Sequence, residues 1–94
     1  AFIKKNKLNS IKKSNLLELI GEYERKNVRH KNAIKYFKKS YKIRKIANVD
    51  NENHSSIGSC LNSIGDVYYE IDNYDKALKY YQKSYEIFEI AYAN

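Results

Sequence analysis

Proline, methionine and tryptophan are missing from these 94 residues, and cysteine occurs once. Without proline, no residue lacks the backbone N–H or carries the ring that breaks a helix interior, so helices joined by short turns are compatible with the whole chain. The absence of methionine, even at residue 1, points to a segment cut from something longer. The single cysteine, Cys60, cannot form an internal disulfide, which favours a reducing, cytoplasmic setting. Cys60 falls among apolar positions of a helical pattern, where a small buried hydrophobe is a better reading than a reactive thiol. Long apolar runs are missing too. No stretch approaches the ~18 apolar residues of a membrane span, and no secretory signal is visible.

What is present is a small, basic, tyrosine-rich chain. Its length allows at most one small domain, near the lower limit for burying a stable core. Ten of its thirteen aromatic residues are tyrosine, and the formal net charge is +7. That sum hides an asymmetry: residues 1–47 carry a net +12 and residues 48–94 a net −5. A basic half joined to an acidic half is a statement about association, not about fold.

The chain also repeats itself at an offset of 44 residues: laying 14–47 over 58–91 gives 12 identities in 34 positions. Among the matched pairs are Leu17/Leu61, Ile20/Ile64, Gly21/Gly65, Ala33/Ala77, Ser40/Ser84 and Tyr41/Tyr85. A period in this range marks a solenoid, whose units are each too small to bury their own apolar face. Within the period, apolar residues recur at helical spacing. Ile57, Leu61, Ile64, Tyr68 and Ile71 form one stripe, Asp72-Asn73 interrupts it, and Tyr74, Ala77/Leu78, Tyr81, Tyr85 and Phe88 restart it. The spacing predicts helices near 55–71 and 74–92, the first started by a Ser55 or Ser56 cap. The earlier copy predicts helices near 10–26 and 30–47, with the turn at Asn27-Val28-Arg29. Residues 48–54 are polar and read as the loop between units. Residues 1–13 are the end of a preceding repeat with its loop, or an extension of the first helix.

Leu61-x2-Ile64-Gly65-x2-Tyr68 followed by Ala77-x3-Tyr81 resembles the tetratricopeptide repeat, a helix-turn-helix with large, small and aromatic positions at this spacing. Leu17-x2-Ile20-Gly21 and Ala33-x3-Phe37 match it a second time. The resemblance implies an all-α solenoid fragment of two hairpins, at 14–47 and 55–92, with Gly21 facing Ala33, Gly65 facing Ala77, and Leu17, Ile20, Leu61 and Ile64 buried. The usual period is about 34 residues, so this chain is similar to the longer repeats of kinesin light chains and of bacterial sensor and regulator proteins. Departures fall mainly in the first copy. Glu24 holds the aromatic position of Tyr68, and Arg29 stands where Asn73 offers a cap, so the first hairpin is expected to be the less stable.

Catalysis needs convergent groups, and few are offered. His30, His54 and Cys60 have no zinc spacing, so no metal, cofactor or catalytic residue is expected. The acidic pairs Glu18/Glu22 and Asp66/Glu70 are one helical turn apart and read as a solvated or partner-contacting face. Lys31, Lys35, Lys38, Lys39, Lys42 and Lys45 form a basic stripe. A solvated outer face explains it better than nucleic acid, since no aromatic or Arg-rich readout accompanies it in the sequence.

The resemblance instead implies a concave groove lined by the first helix of each hairpin. Its candidate contacts are Glu18, Glu22 and Arg25 in the first unit, and Asn62, Asp66 and Tyr69 in the second. Asn62 leads, because its amide can both donate to and accept from a peptide backbone. The function expected is non-enzymatic binding of a protein, peptide or helix. A peptide- or effector-sensing segment of a bacterial regulator is the alternative. Self-association of the fragment is expected as well, since two hairpins leave apolar stacking faces open.

Overall fold

The computed structural model describes residues 2–93, with side chains from residue 6 onward. Four helices follow one another: α1 (Phe2–Lys26), α2 (His30–Ala47), α3 (Ser55–Glu70) and α4 (Tyr74–Ala91). Among the described residues there is no strand. α1 pairs with α2 and α3 with α4 as hairpins, and α2 packs against α3 to join them. Residues 2–13 continue α1 as helix.

Both hairpins use the same turn chemistry, one period apart. In the first, the Arg29 N–H reaches back to Glu24 O at 2.9 Å and the Val28 N–H to Arg25 O at 3.0 Å. In the second, Asn73 reaches Tyr68 O at 2.9 Å and Asp72 reaches Tyr69 O at 3.1 Å. These paired bonds satisfy orphan carbonyls at a helix end and require one left-handed residue. That residue is Val28 (φ 60°) in one turn and Asp72 (φ 62°) in the other. Asp tolerates this region, whereas β-branched Val is strained in it. The caps differ in the same direction. Asn73 accepts a bond from Lys76 N–H, while Arg29 makes no side-chain cap. At α3 the expected serine cap is absent, because Ser55 and Ser56 already lie in the first turn. The His54 ring accepts from the Ser56 N–H at 3.1 Å instead.

One core runs through both hairpins, built on Ala33, Phe37, Ile64, Val67, Tyr68 and Ala77. Each hairpin is also bolted internally by a buried hydroxyl. Ser40 Oγ donates to Ser14 O at 2.9 Å, and Ser84 Oγ donates to Gly58 O at 2.8 Å. This accounts for the identity Ser40/Ser84. Leu61 and Ile64 are buried as expected, but Leu17 and Ile20 are only half-buried. α3 packs closely against both α2 and α4, whereas α1 packs closely against α2 alone and meets α3 only through a few side chains. The glycines face rings rather than alanines. The space above Gly21 is filled by Phe37 and that above Gly65 by Tyr81, one turn beyond Ala33 and Ala77.

Candidate partner-binding groove

α1 and α3 are laced together by side chains on one face. Arg25, in the last turn of α1, donates to Glu22 at 2.9 Å and across to Glu70 of α3 at 2.6 Å. Both carboxylates hold the guanidinium well above its usual pKa, the Glu22 bond contributing most and the Glu70 bond next. All three side chains are partly exposed, so the pairs contribute about 1 kcal/mol or less each. Their effect is to fix how α1 lies beside α3. Two turns back along both helices, Glu18 accepts from Ser63 Oγ at 2.8 Å, a second α1–α3 tie.

The six candidate residues are not in one condition. Glu18, Glu22 and Arg25 are engaged with each other's neighbours as above. Asp66 accepts from the Tyr81 hydroxyl at 2.5 Å, and burial, followed by this bond, pushes the tyrosine pKa up. Asn62 and Tyr69 are exposed, and the Tyr69 ring meets Tyr74 edge-on with centroids 5.4 Å apart. Asn62 and Tyr69 are thus the exposed members of the six, beside acidic and basic side chains that are already paired.

Beneath the face lies a polar seam that the periodicity only half disclosed. Arg44 occupies a stripe position where the second unit has Phe88, and it is 9 % exposed. Its Nη1 lies 2.9 Å from both Ser56 O and Cys60 Sγ, and Nη2 donates to Asn15 Oδ1 at 3.1 Å. The Glu18 carboxylate is 3.8 Å away. Among the described residues, no buried side-chain nitrogen or oxygen lacks a partner. A buried charge is tolerated only under that condition. Cys60 is fully buried here. Burial pushes its thiol up to about 11, with Glu18 adding to the shift. It stays protonated at neutral pH and is not a nucleophile. The clue in the sequence was a charge on an apolar stripe.

Other candidates separate. Lys7, Asn15, Arg44, Asn48 and His54 border a cleft of ≈ 270 Å³ where α1, α2 and the interunit loop meet. Among the described residues, no three His, Cys, Asp or Glu side chains converge as a metal would need. The basic stripe of α2 is exposed, and tyrosines do sit within it: Lys39 lies 5.6 Å from the Tyr36 ring and Lys45 lies 5.3 Å from Tyr41. Both rings are already engaged by lysines of their own helix. No described helix is long and apolar enough to cross a membrane.

Two antiparallel helix pairs, repeated by a fixed offset and sharing one core across their junction, define an α-solenoid of helical hairpins. The family model for the tetratricopeptide repeat matches residues 12–90, and the chain belongs to that family. Its members are in general protein–protein interaction modules. No curated protein and no solved structure matches the chain.

Proposed function

We propose that this chain is a non-enzymatic interaction module that takes a peptide or helix in the groove between α1 and α3. The exposed pair Asn62 and Tyr69, set on a face whose charged residues are already locked, carries this reading. A preset surface loses little conformational entropy on binding, which favours affinity. Asn62 supplies amide bonds to the ligand backbone and Tyr69 a ring to lie against. Glu22, Arg25 and Glu70 set the groove's charge pattern, while Glu18 and Asp66 hold its walls through Ser63 and Tyr81. A cytoplasmic setting goes with this proposal, on the single unpaired cysteine.

The test is selection of binders from a displayed random-peptide library, followed by calorimetry of one selected peptide. Asn62→Ala with Tyr69→Ala should weaken that peptide by about tenfold or more and leave melting unchanged. Asp66 is left intact, because removing it would unseat Tyr81. Undiminished affinity in the double variant would move the site off this face.

A further inference from the structure

The 44-residue offset maps contacts between the two hairpins onto positions that stand open among the described residues. On α3, Cys60, Ser63 and Val67 face the first hairpin, and Cys60 and Val67 are fully buried by it. Their equivalents on α1 are Leu16, Leu19 and Tyr23, a stripe at three- and four-residue spacing that is 57, 67 and 63 % exposed. The other side of the junction shows the same contrast. Ile34 of α2 packs against the shared core and Tyr41 is half-buried, whereas their equivalents on α4, Leu78 and Tyr85, are 58 and 63 % exposed. So the molecule presents an α3-like face at one end and an α2-like face at the other. Both halves of its internal junction stand open.

We propose that a second copy of this chain stacks head-to-tail on the α4 face, presenting Leu16, Leu19 and Tyr23 to Leu78, Tyr85 and Phe88. This surface is inferred without reference to the peptide groove, although Tyr69 of the groove lies at its edge. What specifies the occupant is continuity with the existing junction, transposed residue by residue. Within the chain, Arg44 meets Cys60 at 2.9 Å and Arg25 meets Glu70 at 2.6 Å. Between copies, the same positions are Phe88 against Leu16 and Tyr69 against Lys26. The buried arginine becomes a phenylalanine on the very side where the buried cysteine becomes an exposed leucine. The buried arginine has no counterpart in the transposed seam, where apolar area replaces its polar contacts and the one cation, Lys26, meets the Tyr69 ring. Long-range charge favours the same orientation. The leading half of each copy, net +12, meets the trailing half of the next, net −5. Because the two faces differ, the contact is heterologous. It repeats along an open chain of copies unless the rotation happens to close a ring.

Complementation distinguishes this arrangement from a symmetric dimer. Leu16→Glu blocks only the leading face, and Leu78→Glu with Tyr85→Glu blocks only the trailing face. These side chains are more than half exposed, so circular dichroism and melting should match the wild type. Leu16→Ser and Tyr85→Ser serve as milder versions if either charged variant unfolds. In sedimentation, the wild type should form a concentration-dependent series that shortens with salt. Each variant alone should associate about tenfold or more weakly. Their mixture should give a 1:1 dimer and nothing longer. A wild type that stays monomeric to high micromolar concentration overturns the proposal and leaves these faces to some other hairpin. Association that survives in one variant and is abolished in the other also overturns it, since that marks a symmetric contact through a single face. Peptide affinity of the dissociated chain is a separate readout, so either result would leave the groove reading standing.

Discussion

The three glycines offer a graded test of how the hairpins are packed. A Cβ added to Gly21 would stand 2.5 and 2.6 Å from Phe37 Cε1 and Cδ1, closer than real Cβ contacts come. At Gly65 the nearest atoms belong to the Tyr81 ring at 2.8 Å, and at Gly58 to Ile87 and Phe88 at 3.2 Å. Each substitution by alanine gains about 1 kcal/mol, because glycine loses the most backbone freedom in a helix. Against this stands overpacking, which costs about 1–3 kcal/mol in a core that cannot relax. Phe37 is fully buried and has nowhere to go, so Gly21→Ala should lose about 1–2 kcal/mol net. Tyr81 is half-buried but tethered to Asp66, and Gly65→Ala should fall between no change and a loss of about 1 kcal/mol. Ile87 and Phe88 are half-buried and need give only a few tenths of an ångström. Gly58→Ala should therefore be neutral or gain up to about 1 kcal/mol. Thermal melting resolves these differences, at about 4–8 °C per kcal/mol for a domain of this size. If Gly21→Ala melts at or above the wild type, or Gly58→Ala melts below Gly21→Ala, the ring-over-glycine account of the crossings is wrong.

Transplanting the second turn into the first, by Val28→Asp with Arg29→Asn, should raise stability by about 1–2 kcal/mol, because it relieves a strained left-handed valine and adds the missing cap. The reverse change, Asn73→Ala, should cost about 1 kcal/mol, and equal melting in all three proteins would refute the turn argument. Cys60 makes stability depend on alkaline pH. Its thiol is raised from 9.0 to about 11, so its contribution is complete below the unfolded value and is lost as pH rises through the folded one. At full size that contribution is about 3 kcal/mol. Tyrosines and lysines titrate in the same range, so the quantity to measure is the stability gap between wild type and Cys60→Ala. That gap should shrink across this window, and a constant gap would refute the shift.

Much of the architecture was legible because it is periodic. Helices, turns and the loop follow from the spacing of apolar residues, from Asp72-Asn73, and from a polar run at 48–54, all local properties that neighbouring residues enforce on each other. The 44-residue offset added the pairing of helices into hairpins, because two copies of one pattern must fold alike. The missing cap of the first turn was also visible, since Arg29 cannot accept a bond from a backbone N–H. Leu16, Leu19 and Tyr23 stand at helical spacing too, yet spacing alone does not say that this second stripe on α1 is left open. Other assignments depended on which side chains meet across elements. Arg44, Cys60 and Glu18 come from three different helices, and their meeting in one buried seam depends on how the hairpins cross. The His54 cap is a matter of one ring reaching one N–H, where two adjacent serines looked equally suited.

The sequence by itself determined the class of fold and the split of charge between halves, because periodicity and composition are carried by residues close together in the chain. Only the tertiary structure decided which identical positions end up alike. Leu61 is enclosed and Leu17 is not, though both are the same residue at the same repeat position. Burial depends on what lies against a helix: α1 packs closely on α2 alone, where α3 packs on both α2 and α4.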